Sequence, residues 1–149
     1  ETNGIFCRQQ GRLKAVRPIR TAPYPGFPTD GAAPLLAAAC TGRGTSVFVE
    51  TIFENRYRYV DELTRMGACI RVDGRVAVVE GKPSLQGASV ACTDLRGGAA
   101  LVVAALAAHG EGTITQLGHL DRGYENLEGC LGAVGARITR MKSTSCPIS

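Results

Sequence analysis

The stretch "TDLRGGAALVVAALAAHG", residues 93–110, is apolar on nearly every side once its first turn is passed. A helix of that kind has no solvent face to offer, so it belongs inside, with sheets packed around it. Thr93-Asp94 opens it, and Asp94 suits an N-cap whose side-chain oxygen accepts from the free amides of the first turn. Gly110 suits the position just past the helix end.

The same order of features occurs roughly 64 to 68 positions earlier, and an internal repeat constrains the fold more than any single element does. The first copy runs from Thr29-Asp30 through an alanine-rich helix to Cys40, a strand "TSVFVE" (45–50), the charged turn "ENRY" (54–57) and a helix to Met66. It closes with Gly67-Ala68 leading into the strand "CIRV" (69–72). The second copy runs from Thr93-Asp94 through the helix to His109, a strand "GTITQL" (112–117), "DRGY" (121–124) and a helix to Val134. Gly135-Ala136 then leads into "RITR" (137–140). Asp30, like Asp94, is expected to be an N-cap. "RVDGRVAVVE" (71–80) predicts a hairpin whose Asp73-Gly74 favours a type I′ turn.

The chain is therefore expected to be α/β, with about two βαβαββ repeats forming a single partial domain over residues 1–149. Residues 1–16 read as the closing hairpin of a preceding unit, 17–82 as repeat one, 83–141 as repeat two and 142–149 as a polar tail. At 149 residues and 44% hydrophobic content the chain has material for a real core.

The composition also excludes several classes of function. There is no apolar run long enough to span a bilayer, and the N-terminus "ETNGIFCRQQ" has neither a basic region nor an apolar stretch of signal length, so a soluble, cytoplasmic protein without membrane attachment is expected. Glu rather than Met at position 1 fits a processed product or an excised piece. The six cysteines are widely spaced with no C-x-x-C pair, and only His109 and His119 could add nitrogen ligands. Buried free thiols and no metal site are expected. The net charge of +4 is spread along the chain, which suits small anions better than nucleic acid.

Four positions carry chemistry. In "RTAPYPGFPTDGAAP" (20–34), Pro23, Pro25 and Pro28 stiffen the approach to Asp30, which goes beyond what a cap needs; a carboxylate fixed in this way could serve as a general base. Arg56 lies in "ENRY" and Arg122 in "LDRGYE", each at a strand-to-helix corner where a solvated charge is the ordinary reading. Arg96 sits in the first turn of a helix, where a cation opposes the dipole and Gly97-Gly98 weakens the helix; such a choice hints at a bound anion. The repeat puts all four at corresponding corners, which predicts one shared rim. Three guanidinium forks beside one carboxylate suit a substrate with several anionic oxygens. Cys130 falls mid-helix and reads as a small packing residue.

"TAPYPGFPTD", "ETIFENRY", "ELTRMGA", "TDLRGGAALVVAAL", "LDRGYE" and "GARI", in this order and spacing, closely resemble the C-terminal part of the UDP-N-acetylglucosamine enolpyruvyl transferase family, over about Gly11 to Arg140. The resemblance implies an inside-out α/β barrel, with helices inward and sheets outside. It also implies transfer of the enolpyruvyl group of phosphoenolpyruvate to the 3′-hydroxyl of UDP-N-acetylglucosamine, the first committed step of peptidoglycan and cell-wall synthesis, linked to cell shape, cell cycle and division. No metal or organic cofactor is implied.

By motif, Asp30 takes the family's base position, Arg96 and Arg122 the arginines that hold phosphoenolpyruvate, and Arg56 one lining the same cleft. Ile52 lies where the family meets the sugar nucleotide. The family's mobile loop with its cysteine or aspartate acid, and its Lys-Asn pair, are not in this sequence; the resemblance thus implies an N-terminal portion of the same enzyme as partner, an inactive isolated chain, and self-association through uncovered apolar faces. The alternatives are a shikimate-type enolpyruvyl transferase and a non-catalytic anion- or nucleotide-binding module.

Overall fold

The computed structural model describes Gly4, Phe6, Arg8, Gln10 and residues 11–141. Its first half is built on a four-stranded sheet ordered β1-β2-β4-β3, from β1 (Ile19–Arg20), β2 (Thr45–Val49), β3 (Cys69–Asp73) and β4 (Val76–Glu80). β1 and β2 are parallel and joined through helix α1 (Thr29–Ala39), which makes a βαβ crossover. Helix α2 (Val60–Arg65) leads from β2 into the antiparallel pair β3–β4.

Alternation sets the register. Ser46 and Phe48 of β2 and Ala77 and Val79 of β4 point into the core, while Thr45 and Glu80 are exposed. The β3–β4 hairpin forms as expected, with Asp73 opposite Val76. Its turn is not type I′, however. Gly74 has φ +53, whereas Arg75 is not among the positive-φ residues, and one positive φ at the first central position is the type II′ pattern.

The second half has two short parallel pairs: β5 (Leu85–Gln86) with β7 (Ala108–His109), and β6 (Ser89–Ala91) with β8 (Thr113–Thr115). Between them runs α3 (Leu95–Ala107), the apolar helix from which the sequence was read. It is buried at Gly97 through Val102 and at Ala104, and it packs against α1 through Leu101, Ala100 and Ala104 in one cluster with Leu36, Ala37, Phe48 and Leu63. Asp94 caps it as expected, accepting from the amides of Arg96 at 3.0 Å and Gly97 at 2.9 Å. α4 (Gly118–Asp121) and α5 (Leu127–Ala133) follow, with Leu120 joining Cys92, Ala99 and Val102 in a smaller cluster.

Several expectations are corrected here. α3 stops at Ala107 because Ala108 and His109 pair with Leu85 and Gln86 as strand β7, so Gly110 follows a strand and not a helix end. "RITR" forms no strand; Arg140 instead turns back to Asp121 and Glu128 on α4 and α5. Gly97 and Gly98 are not a weak point in α3 but a close approach. A Cβ at Gly98 would stand 2.4 Å from Cys92 Sγ, and one at Gly97 would stand 2.9 Å from Tyr59 Cβ. Among the described thiols, Cys40 and Cys92 are buried, Cys69 is half-buried, and Cys130 is exposed rather than packed. Residues 11–16 hold no hairpin: Lys14 forms a single parallel bridge to Arg43. The rest of the expected opening hairpin, and the tail 142–149, lie outside the described residues.

Candidate active site

The proline-rich segment is a closed loop. Thr21 bridges Phe27, the Ala22 amide donates to the Phe27 carbonyl at 2.9 Å, and the Gly26 amide donates to the Pro23 carbonyl at 2.8 Å around a cis Tyr24-Pro25 bond. It delivers the chain to α1 with Pro28 as the N-cap residue, so Thr29 is the first helical residue and Asp30 the second. The expectation that Asp30 caps this helix is thus corrected. Pro28 supplies no side-chain acceptor, and the Asp30 carboxylate points away from the amides of its own turn, toward Arg96.

That contact is the centre of the site. Arg96 Nε donates to Asp30 Oδ1 at 2.6 Å, from the first turn of α3 to the first turn of α1, across 66 positions of sequence. α1 and α3 pack side by side, so their starts fall together. The Arg96 hydrogen bond holds the Asp30 carboxyl below its usual range against the opposing effect of burial, and the charges of Arg96 and Arg56 add to the depression. Arg96 is shifted reciprocally upward, first by the same hydrogen bond.

Arg56 stands on the turn that leaves β2. Its guanidinium lies over the Phe53 ring, 4.2 Å from the centroid, and its Nε is buried with no hydrogen-bond partner among the described residues. The turn is held from outside by Arg75, which donates to the Thr51 carbonyl and to Glu54, each at 3.0 Å. Asn55 takes φ +54 to complete it. Ile52 is 37% exposed on this turn, and its amide donates to Glu50 Oε1 at 2.8 Å.

Arg122 is placed differently. It follows α4, where Gly123 packs so closely on Leu95 that a Cβ would stand 2.6 Å from Leu95 Cδ1. Its corner therefore adjoins the residue before Arg96. The guanidinium itself meets His119 Nδ1 at 2.6 Å and not Asp30. Neither Asp121 nor Glu125 holds it; Asp121 is taken by Arg140 at 2.6 Å. The structure brings Asp30 and Arg96 into contact and sets Arg56 within electrostatic reach of Asp30; Arg122 comes to the same helix start through its backbone.

Sequence reasoning weighed Glu54 to Arg56 and passed over Glu50, which is 3% exposed and accepts four hydrogen bonds. The signal was the alternation of "TSVFVE": Ser46 and Phe48 face the core, so period two carries Glu50 to that face as well. Among the described residues, no group of three or more His, Cys, Asp or Glu could hold a metal ion, and no helix is long and apolar enough to cross a membrane.

A carboxylate and an arginine at two adjoining helix starts, with a second arginine within electrostatic reach, can bind an anion and accept a proton beside it. Residues 1–131 match the family described as EPSP synthase (3-phosphoshikimate 1-carboxyvinyltransferase), and the chain belongs to this family of carboxyvinyl (enolpyruvyl) transferases. It is 54% identical over 139 residues to the UDP-N-acetylglucosamine 1-carboxyvinyltransferase of Xylella fastidiosa (strain 9a5c), covering 93% of this chain and 33% of that protein. It is 55% identical over 140 residues to the protein of the same name from Desulfofundulus thermocisternus, covering 94% of this chain and 57% of that one. The chain thus spans between a third and a little over half of the length of these relatives.

Among solved structures, the enolpyruvyl transferase NikO from Streptomyces tendae superposes with a TM-score of 0.72 at 33% identity, covering 83% of this chain and 29% of that one. EPSP synthase from Acinetobacter baumannii superposes with a TM-score of 0.52 at 21% identity over 63% of this chain and 24% of that one, and so speaks to the mixed α/β fold alone.

Proposed function

We propose that this chain is the C-terminal part of a UDP-N-acetylglucosamine 1-carboxyvinyltransferase, acting in the cytoplasm in peptidoglycan synthesis and hence in cell shape, the cell cycle and division. The observation that carries the reading is the 2.6 Å contact of Asp30 with Arg96, at two helix starts 66 positions apart. Its βαβ crossovers β1-α1-β2 and β6-α3-β8 belong to repeats over 17–82 and 83–141 of one partial domain. In the whole protein these units form an inside-out α/β barrel; the buried packing of α1 on α3 supports helices that face inward.

Asp30 acts as general base. The 3′-hydroxyl oxygen of UDP-N-acetylglucosamine adds to C2 of phosphoenolpyruvate as C3 takes a proton from the acid loop of the N-terminal portion, and the hydroxyl proton passes to an Asp30 oxygen. In the later collapse of the tetrahedral intermediate C3 gives up a proton, the C2–O bond to phosphate breaks and the C2=C3 double bond returns. While Arg96 holds Asp30, the carboxylate is a poor base. An anionic oxygen of phosphoenolpyruvate arriving at Arg96 competes for that guanidinium and restores proton affinity to Asp30, nearer the range in which a general base works well. Arg56, whose buried Nε lacks a partner among the described residues, and Arg122 supply further positive charge that is in place before the intermediate forms. Ile52 rims the sugar nucleotide.

The reaction needs an acid loop and a Lys-Asn pair from the N-terminal portion of the same enzyme, so the isolated chain does not turn over. Phosphate release from phosphoenolpyruvate by the full-length protein, with UDP-N-acetylglucosamine or shikimate 3-phosphate as acceptor, tests the reading. Release that depends on the sugar nucleotide is the expected result. Release with shikimate 3-phosphate alone would move the chain to the shikimate-type activity, and release with neither would leave an anion-binding module.

A further inference from the structure

Glu50 follows β2 directly and continues the inward-facing series of Ser46 and Phe48, and it is one of three buried polar or charged side chains among the described residues. Both of its oxygens are engaged. Oε1 accepts from Thr21 Oγ1 at 2.8 Å and from the amides of Ile52 at 2.8 Å and Phe53 at 3.1 Å, and Oε2 accepts from Thr29 Oγ1 at 2.7 Å.

These donors sit on three separate segments. Thr21 is at the foot of the proline loop, Thr29 directly precedes Asp30, and Ile52-Phe53 belongs to the turn that carries Arg56. Two more bonds close the same latch: the Thr51 amide donates to Thr21 Oγ1 at 2.9 Å, and Thr51 Oγ1 donates to the Thr21 carbonyl at 2.5 Å. Among the described residues no cation pairs with the carboxylate. Burial pushes its pKa up, and the hydrogen bonds from Thr29, Thr21, Ile52 and Phe53 outweigh that and leave it lowered. A buried ion is costly, and apolar packing could join three loops without one. What a carboxylate adds is direction, with each of its lone pairs fixing a donor at a defined angle.

We propose that Glu50 is a positioning residue for the reaction at Asp30: through Thr29 it sets where the Asp30 carboxylate stands relative to the Ile52-Phe53 backbone. It contacts neither substrate. This inference rests on the function proposed above and deepens it. One buried group holds the base and the sugar-nucleotide rim at a fixed separation, and general-base catalysis depends on that separation.

The test uses the full-length protein with phosphoenolpyruvate and UDP-N-acetylglucosamine, measuring kcat, both KM values and melting temperature. Glu50→Asp withdraws the carboxylate by one methylene, and kcat falls by on the order of 10²-fold, the scale of a displacement of about 1 Å. The KM for the sugar nucleotide rises as the Ile52 and Phe53 amides lose their acceptor, while the KM for phosphoenolpyruvate stays. Glu50→Gln keeps the length and an acceptor and lets its amide donate to Thr29 Oγ1, so it recovers most of kcat. Thr29→Val removes only the link to Asp30. It lowers kcat about tenfold, equivalent to about 1.4 kcal/mol, with both KM values unchanged and a lower melting temperature because the buried Oε2 loses its donor; this variant keeps the test available if Glu50→Asp does not fold.

Variants that lose melting temperature but keep kcat would overturn the inference, leaving Glu50 a fold-holding residue. So would a Gln variant as impaired as the Asp variant, because charge and not placement would then be what is used. Wild-type protein that fails to release phosphate would remove the parent reading and this one together; normal wild-type turnover with unaffected variants removes this one alone.

Discussion

Arg96 Nε and Asp30 Oδ1 stand 2.6 Å apart because two helices that pack side by side begin at the same end of the core. The pair has a consequence for pH. Asp30 in the folded chain titrates below its ordinary value of 3.8, first through the Arg96 hydrogen bond. A depressed carboxyl contributes stability that is present above the unfolded pKa and lost as pH falls through the folded one. Asp30 side-chain exposure is 65%, so solvent screens most of that contribution. Arg96→Gln should raise the Asp30 titration midpoint toward 3.8, read by carbon NMR of the side-chain carboxyl; an unmoved midpoint would contradict the pairing.

Close packing of α3 predicts a contrast between two glycines. Gly98→Ala places a methyl 2.4 Å from Cys92 Sγ and 3.1 Å from Leu120 Cδ1, and should destabilise by about 1–3 kcal/mol. Gly132, exposed on α5 with nothing within 4 Å of an added Cβ, should gain about 0.4–1 kcal/mol on the same change. Denaturant midpoints decide between them, and equal effects would show that the helices do not approach as described.

The thiols should separate by burial. Cys40 is fully buried and its thiol is pushed up to about 12 by burial, while Cys130 is exposed on α5. Peptide-resolved labelling with a small alkylating reagent at neutral pH should modify Cys130 in minutes and Cys40 and Cys92 only on unfolding. Early labelling of Cys40 would mean that α1 is not packed on α3.

The isolated chain should self-associate. Its second half has only two-stranded pairs among the described residues, which leaves strand edges open, and Leu106 at 46% exposure and Val134 at 82% add apolar surface. Sedimentation velocity across a concentration series should show association; a monomer at every concentration would count against it.

Much of the fold was legible because its signals were local. The alternation in β2 and β4, Asp94 before an all-apolar helix, and Gly67 and Gly135 at positive φ past α2 and α5 each follow from the chemistry of a few adjacent residues. Failures came where a distant partner decided. Ala108-His109 left the helix for a strand because Leu85-Gln86 was there to pair, and "RITR" stayed irregular where Arg140 found carboxylates on α4 and α5. At the site, the residue types and their corners could be read. The pairing of Asp30 with Arg96, the engagement of Arg122 by His119 and the buried latch at Glu50 could not, since each depends on how separate elements pack.

Asp30 as the proton acceptor is the step on which the proposed chemistry depends. Steady-state phosphate release by the full-length protein, comparing wild type with Asp30→Asn at saturating phosphoenolpyruvate and UDP-N-acetylglucosamine, tests this most directly. With Asp30 as general base, kcat falls by about 10²–10⁴-fold in the variant with melting temperature preserved, the scale of a lost general base. A variant that turns over at the wild-type rate would contradict it.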